Sequence, residues 1–157
     1  MPTVYEKVDV EALERQFNAA MEEAEKGTAL EAIQRLYNEF EGDSPDAVGA
    51  IVHPELRVEM RSLFLEGKSY KGVRGYMNWR RDMGKLFSSH AFRPVGVRFA
   101  ARDRWVVLGR LQVTEAEGGA ELDVPLAHAV EQREKKVARI TVYSDIGEAL
   151  EAFGLYA

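Results

Sequence analysis

From Phe92 onward the chain stops repeating at helical spacing and begins to alternate. Four successive segments, FRPVGVRFAA, RWVVLGRLQVTEA, AELDVPLAHAVEQ and KVARITVYSD, carry apolar side chains at about every second position. That is the period at which strand side chains share a face. The polar stretches ARDR, EGGA and REKK separate the four segments and read as turns. The second half of the chain is therefore expected to form a run of antiparallel strands.

The first half reads differently. Val10, Leu13, Phe17, Ala20, Met21 and Ala24 recur at three- and four-residue steps with glutamates between them, which predicts a helix from about Val8 to Lys26. TALE then reads as a capping box in which Thr28 caps a second helix and Glu31 reaches back. That helix carries Leu30, Ile33, Leu36, Tyr37 and Phe40 on one side and is broken by GDSP. Ser44 is suited to cap a third, short helix with Pro45 at its first position, ending near VHPE. LRVEMRS alternates, with Leu56, Val58 and Met60 on one face and Arg57, Glu59 and Arg61 on the other. EGKSYKG is a turn-rich connection. It leads to a helix from about Val73 to Phe87 whose stripe is Tyr76, Trp79, Met83 and Leu86. The chain closes with a short helix in SDIGEALEAFG, with Asp145 as cap, Glu148 in the capping-box place and Gly154 as stop. Helices followed by a run of strands indicate an α+β fold. A curved sheet wrapped over helices leaves a hollow end, the natural place for a ligand.

The 157 residues suit one domain with a sizeable core. A net charge of −5 argues against a nucleic-acid partner, because phosphate binding needs a concentrated basic surface. The basic cluster NWRRDMGK falls on the solvated side of a helix. No apolar run approaches the roughly 20 residues that span a membrane. The first residues, MPTVYEKVDVEALE, are too acidic and polar for a secretory signal. The expectation is a cytoplasmic protein with no membrane segment. There is no cysteine, which excludes thiol chemistry and cysteine metal sites. Three dispersed histidines predict no metal site, and GGAEL lacks the following helix that a phosphate loop needs. No cofactor is expected.

One residue breaks the apolar pattern of the strands. In LDVPLAHAVEQ one face carries Leu122, Val124, Leu126, His128 and Val130, the other Asp123, Pro125, Ala127, Ala129 and Glu131. His128 stands where an apolar residue is called for. It is either a core histidine with internal partners or the polar group of a pocket, where its ordinary pKa near 6.5 suits acid–base work.

The segments ALEAIQRLYNEF, DAVGAIVHPELRVEM, SYKGVRGYMNW, RWVVLGRLQV and VPLAHAVEQREKKVARITVYSDIGEALEAFGL together resemble the SnoaL-like branch of the nuclear transport factor 2-like superfamily. Ketosteroid isomerases, polyketide cyclases and limonene epoxide hydrolases share that cone-shaped α+β fold. The resemblance runs from about Thr28 to Leu155. It divides the chain into an N-terminal helical extension, residues 1–27, and a SnoaL-like domain, residues 28–157. The most specific parts, YKGVRGYMNW and VYSDIGEALEAFGL, are structural, and a fold does not fix a function.

Carried over by position, the resemblance puts Tyr37 near the tyrosine that donates to the substrate oxygen in ketosteroid isomerases. His128 falls within a residue of their second oxyanion donor, an aspartic acid. Their general-base aspartate is replaced by Met60, with Glu59 on the opposite face. Loss of the proton-abstracting carboxylate argues against steroid isomerisation. The Asp-Arg-Asp set of the epoxide hydrolases is not legible, since Asp123 points away from His128. The family's glycine hairpin is replaced by REKK.

The resulting expectation is a homodimeric cone domain that binds a hydrophobic small molecule. Tyr37, Val58, Met60, Trp79, Met83, His128, Ile140 and Val142 would line its pocket. Cofactor-free chemistry of isomerase, cyclase or hydrolase type on a carbonyl compound would use His128 as proton shuttle and Tyr37 as oxyanion donor. The alternative is a non-catalytic dimerising or ligand-binding module, and the sequence leaves open whether the chain is an enzyme. In the last strand Ile140, Val142 and Ser144 are expected inward, while Arg139, Thr141 and Tyr143 face outward to suit a sheet-to-sheet dimer contact. His53 is expected at the surface, and Arg110 on a solvated strand position.

Overall fold

A computed structural model of the chain describes residues 45–155, together with Glu11, Ala12, Arg15 and Leu36. Glu11, Ala12 and Arg15 are helical. The Thr28–Glu31 capping box, the Ser44 cap and Tyr37 lie outside the described residues.

Helix α1, Pro45–Ile51, runs directly into strand β1, Val52–Arg61. A short strand β2, Ser69–Lys71, precedes helix α2, Gly72–Leu86. Strands β3, Phe87–Ala101, β4, Arg104–Glu115, β5, Glu121–Arg133, and β6, Lys136–Tyr143, follow, and helix α3, Ile146–Ala152, ends the described chain. The six strands form one curved, open sheet in the order β2-β1-β6-β5-β4-β3. β3 to β6 pair antiparallel in sequence, as the four alternating segments predict. β1 lies parallel beside β6, so the sheet is mixed.

Three boundaries differ from the sequence pattern, each for a local reason. The helix ends at Ile51, just before VHPE as expected, but β1 begins at once with VHPE and not at Leu56; the register with β6 shifts between Val52 and Arg57, which accommodates Pro54. The connection EGKSYKG contains β2, whose Tyr70 is buried opposite Val58. β3 starts at a buried Phe87, ahead of the apolar alternation, because Ser88, Ser89 and Ala91 are exposed on an outermost strand.

Alternation sorts the sheet into two faces. Leu56, Val58, Ile140, Val142, Leu126, Val130, Val107 and Leu111 point inward and form one core with Tyr76, Trp79 and Met83 of α2. On the other face Val106, Ala127, Ala129 and Tyr143 are covered by Ala149 and Leu150 of α3. The alanines of LDVPLAHAVEQ are small because a helix rests on them. α3 is fixed at both ends. The Asp145 side chain accepts from the Glu148 amide at 3.2 Å. Gly154, at φ 71°, allows Leu155 N–H to reach the Leu150 carbonyl at 2.8 Å and its own N–H to reach Glu151 at 2.9 Å. The REKK hairpin does manage without glycine: Glu134 and Lys135 both take positive φ, 55° and 64°.

Candidate functional site

His128 lies in the middle of β5, paired across to Val107 on β4 and Val142 on β6. Its position in the inward set, with Leu126 and Val130, follows from strand periodicity alone. The side chain has no exposed surface. Phe92 of β3 meets the imidazole edge-on, with ring centroids 4.5 Å apart and planes at 76°. Burial among these apolar groups pushes the His128 pKa down to about 3. The imidazole is therefore neutral across the physiological range, able to donate one hydrogen bond and accept another.

The expected apolar lining comes together. Val58 and Met60 on β1, Ile140 and Val142 on β6, and Trp79 and Met83 on α2 all belong to the same buried core as Phe92. Met60 does occupy the inward position of β1. Glu59 faces out and pairs with Arg139 at 3.3 Å, so no β1 carboxylate reaches the interior. Helix α2 also holds the chain before α1: the Tyr76 hydroxyl donates to the Leu36 carbonyl, and Arg80 Nη1 donates to the same oxygen at 3.2 Å. Tyr37, the next residue, is outside the described set.

Hollows open elsewhere on the molecule. One of about 610 Å³ lies at the hairpin end of β3, β4 and β5, between Ser89, His90, Gln112, Thr114, Glu121 and Asp123. Burial, reinforced by the Arg80 charge, lowers the His90 pKa. A second of about 480 Å³ is bordered by Glu59, Met60, Arg61, Lys68 and Glu148. Among the described residues no three histidine, aspartate or glutamate side chains gather as metal ligands. Nor is any helix among them long and apolar enough to cross a membrane.

Other expectations resolve individually. Arg110 is exposed, and its Nε donates to Asp123 Oδ1 at 2.6 Å on the face away from His128. That pairing, with Gln112, holds the Asp123 carboxyl below its ordinary pKa. His53 is not a surface residue: it is 7% exposed, and its Nδ1 accepts the Glu55 amide at 3.0 Å, which secures the irregular start of β1. The set expected to face outward on β6 is exposed only in part. Tyr143 and Thr141 are buried, Tyr143 beneath the chain's own α3, and Arg139 is engaged by Glu59 and Glu131.

Phe92 is the residue the sequence pattern did not single out. The available signal was Gly109 within the apolar strand VVLGRLQV, since a glycine there marks a close approach. A Cβ at Gly109 would sit 2.6 Å from Phe92 Cζ and would also collide with the Arg93 carbonyl oxygen. Only glycine lets the Phe92 ring lie across β4 toward His128.

The chain matches no protein-family model and no curated protein sequence. Its fold is nevertheless shared with solved structures. A SnoaL-like polyketide cyclase from Jannaschia sp. CCS1 superposes with a TM-score of 0.62 at 16% identity, covering 75% of this chain and 85% of the other. TerC, crystallised with polyporic acid, gives a TM-score of 0.62 at 19% identity over 80% of this chain and 98% of that one. A Catenulispora acidiphila protein with a ketosteroid isomerase-like fold, in complex with trimethylamine, gives 0.60 at 14% identity over 80% and 93%. The chain has the α+β fold common to SnoaL-like, nuclear transport factor 2-like and ketosteroid isomerase-like proteins. At these identities the likeness is one of fold.

Proposed function

We propose that the chain binds a small, uncharged, mainly apolar molecule between the inner face of the sheet and α2, with His128 and Tyr37 as its polar contacts. The observation that carries this reading is a wholly buried imidazole in an interior built mainly from apolar side chains. An apolar residue at position 128 would fill the same place without burying a polar ring, which costs about 1–3 kcal/mol wherever its hydrogen bonds are imperfect. Two of the structures that share the fold were crystallised with a small molecule, which supports small-molecule binding.

The chemistry of the site limits the ligand. A neutral His128 offers an anion no countercharge, and an ionised group would be expensive to bury among Val107, Val142 and Phe92. A ketone or hydroxyl compound matches one donor and one acceptor. An imidazole with its pKa near 3 is a weak general base at neutral pH. In this reading His128 therefore polarises a carbonyl by hydrogen bonding, and cofactor-free isomerase-, cyclase- or hydrolase-type chemistry is confined to what that polarisation and the Tyr37 phenol can promote.

A second reading, a non-catalytic module with a closed core, is favoured by the absence of any exposed His128 surface. Titration of the protein with cyclohexanone, followed at the His128 Cε1–H NMR signal, separates the two. The ligand reading expects a saturable shift at His128, and in His128→Leu the loss of the saturable shift otherwise seen at the methyl signals of its cross-strand neighbours Val107 and Val142. An unmoved signal throughout the titration supports the closed module.

A further inference from the structure

We infer that Phe92 sets the size limit of the interior site, standing in the space beside His128 that the ring of a bound molecule takes. The inference rests on the ligand reading above and adds its ligand class: a compound with one six-membered ring and an uncharged oxygen substituent.

Three observations place Phe92 in this role. Its ring meets His128 edge-on at 4.5 Å, so it holds the volume into which the imidazole presents itself. The seat for that ring is made by Gly109, where any Cβ would strike Phe92 Cζ at 2.6 Å. The backbone that carries the ring belongs to β3, which pairs with β4 on one side and is the outermost strand of the sheet on the other. The β3–β4 register shifts between Pro94 and Gly96, immediately beyond Phe92, and Val95 between them is 71% exposed. An aromatic ring held by an outer, irregular strand can withdraw with less disruption than one held by the central β5 or β6. What replaces it must be flat, apolar and of similar volume, and must satisfy the imidazole as well as fill the space.

The test compares phenol with naphthol on the wild type, Phe92→Leu, Phe92→Ala and Phe87→Ala, read at the His128 Cε1–H signal. Phe87→Ala removes an equal volume from the same core, at the ring that packs on Phe64 rather than on His128. The expected result is phenol preferred by the wild type, with naphthol affinity rising tenfold or more from wild type through Leu to Ala at position 92. Phe87→Ala is expected to leave that order unchanged. Equal gains in Phe92→Ala and Phe87→Ala would reduce the effect to a generic core cavity and overturn the inference. Binding at His128 with an unchanged order in both Phe92 variants would overturn the size role alone and leave the ligand site standing. A His128 signal unmoved by either compound in all four proteins would remove the ligand reading together with the inference. Phe92→Leu keeps the test open if Phe92→Ala fails to fold.

Discussion

Phe92 and His128 meet edge to face at 4.5 Å, from strands that are not neighbours: β4 lies between them, and Gly109 supplies the gap through which the ring crosses. An imidazole held in this way is sealed from water, and its titration becomes part of the stability of the fold.

The unfolded chain takes up a proton at His128 near pH 6.5, whereas the folded chain resists it down to about 3. Between those values the unfolded state binds more protons. The stabilising contribution is therefore complete above pH 6.5 and is lost as pH falls toward 3, at about 1.4 kcal/mol per pH unit. His90, its pKa also lowered by burial, acts in the same direction. Urea unfolding of the wild type and His128→Leu at pH 7, 6 and 5 isolates the first residue. The gap between the two proteins should move by roughly 1 kcal/mol per unit below pH 6 in favour of the leucine variant. A gap that stays constant would contradict burial of the imidazole.

Much of this arrangement is legible in the sequence because strand periodicity is strict. The alternation in LDVPLAHAVEQ assigns His128 to the face of Leu126 and Val130, and the same rule sends Asp123 outward to Arg110. Capping chemistry is equally local, so Asp145, Glu148 and Gly154 mark α3 without any tertiary information. The contact between Phe92 and His128 is different in kind. It depends on the β3–β4 register, on a bulge beyond Pro94 and on one missing Cβ, none of which has a periodic signature. The outer face of β6 is not legible for a related reason: Arg139, Thr141 and Tyr143 alternate as an exposed set would, and what covers Tyr143 is a helix that arrives only after the strand ends. The burial of His53 is not legible because Pro54 signals a break, whereas a register shift absorbs the proline within β1.

The hairpin between β5 and β6 stores strain that a substitution can release. Glu134 and Lys135, both exposed, hold left-handed φ of 55° and 64°, the conformation of a two-residue turn that favours Asn-Gly. The left-handed region costs a side-chain-bearing residue about 1–2 kcal/mol, part of which glycine returns as unfolded-state entropy. Lys135→Gly is expected to stabilise the protein by roughly 0.5–1 kcal/mol, seen as a higher urea midpoint with an unchanged m-value. Lys135→Val, which suits strands and not this turn, should destabilise by a similar or larger amount. A midpoint that falls in the glycine variant would show that the turn is not strained.

α3 has only seven residues, too few to persist alone, so its helical state depends on its caps and on the face of β4, β5 and β6 beneath it. Asp145→Ala removes the side-chain acceptor for the Glu148 amide and should cost about 1 kcal/mol. Leu150→Ala removes a nearly buried side chain from the contact with Ala127, Ala129 and Tyr143, and about 2–4 kcal/mol is expected. The inner core around Trp79 and Val58 lies on the opposite side of the sheet. Local undocking of α3 should therefore appear as faster amide exchange within Ile146–Ala152 in both variants, with protection of β5 and β6 amides falling only as far as global stability falls. Uniform loss of protection across α3 and the strands, with no excess at α3, would show that the helix and sheet open as one unit.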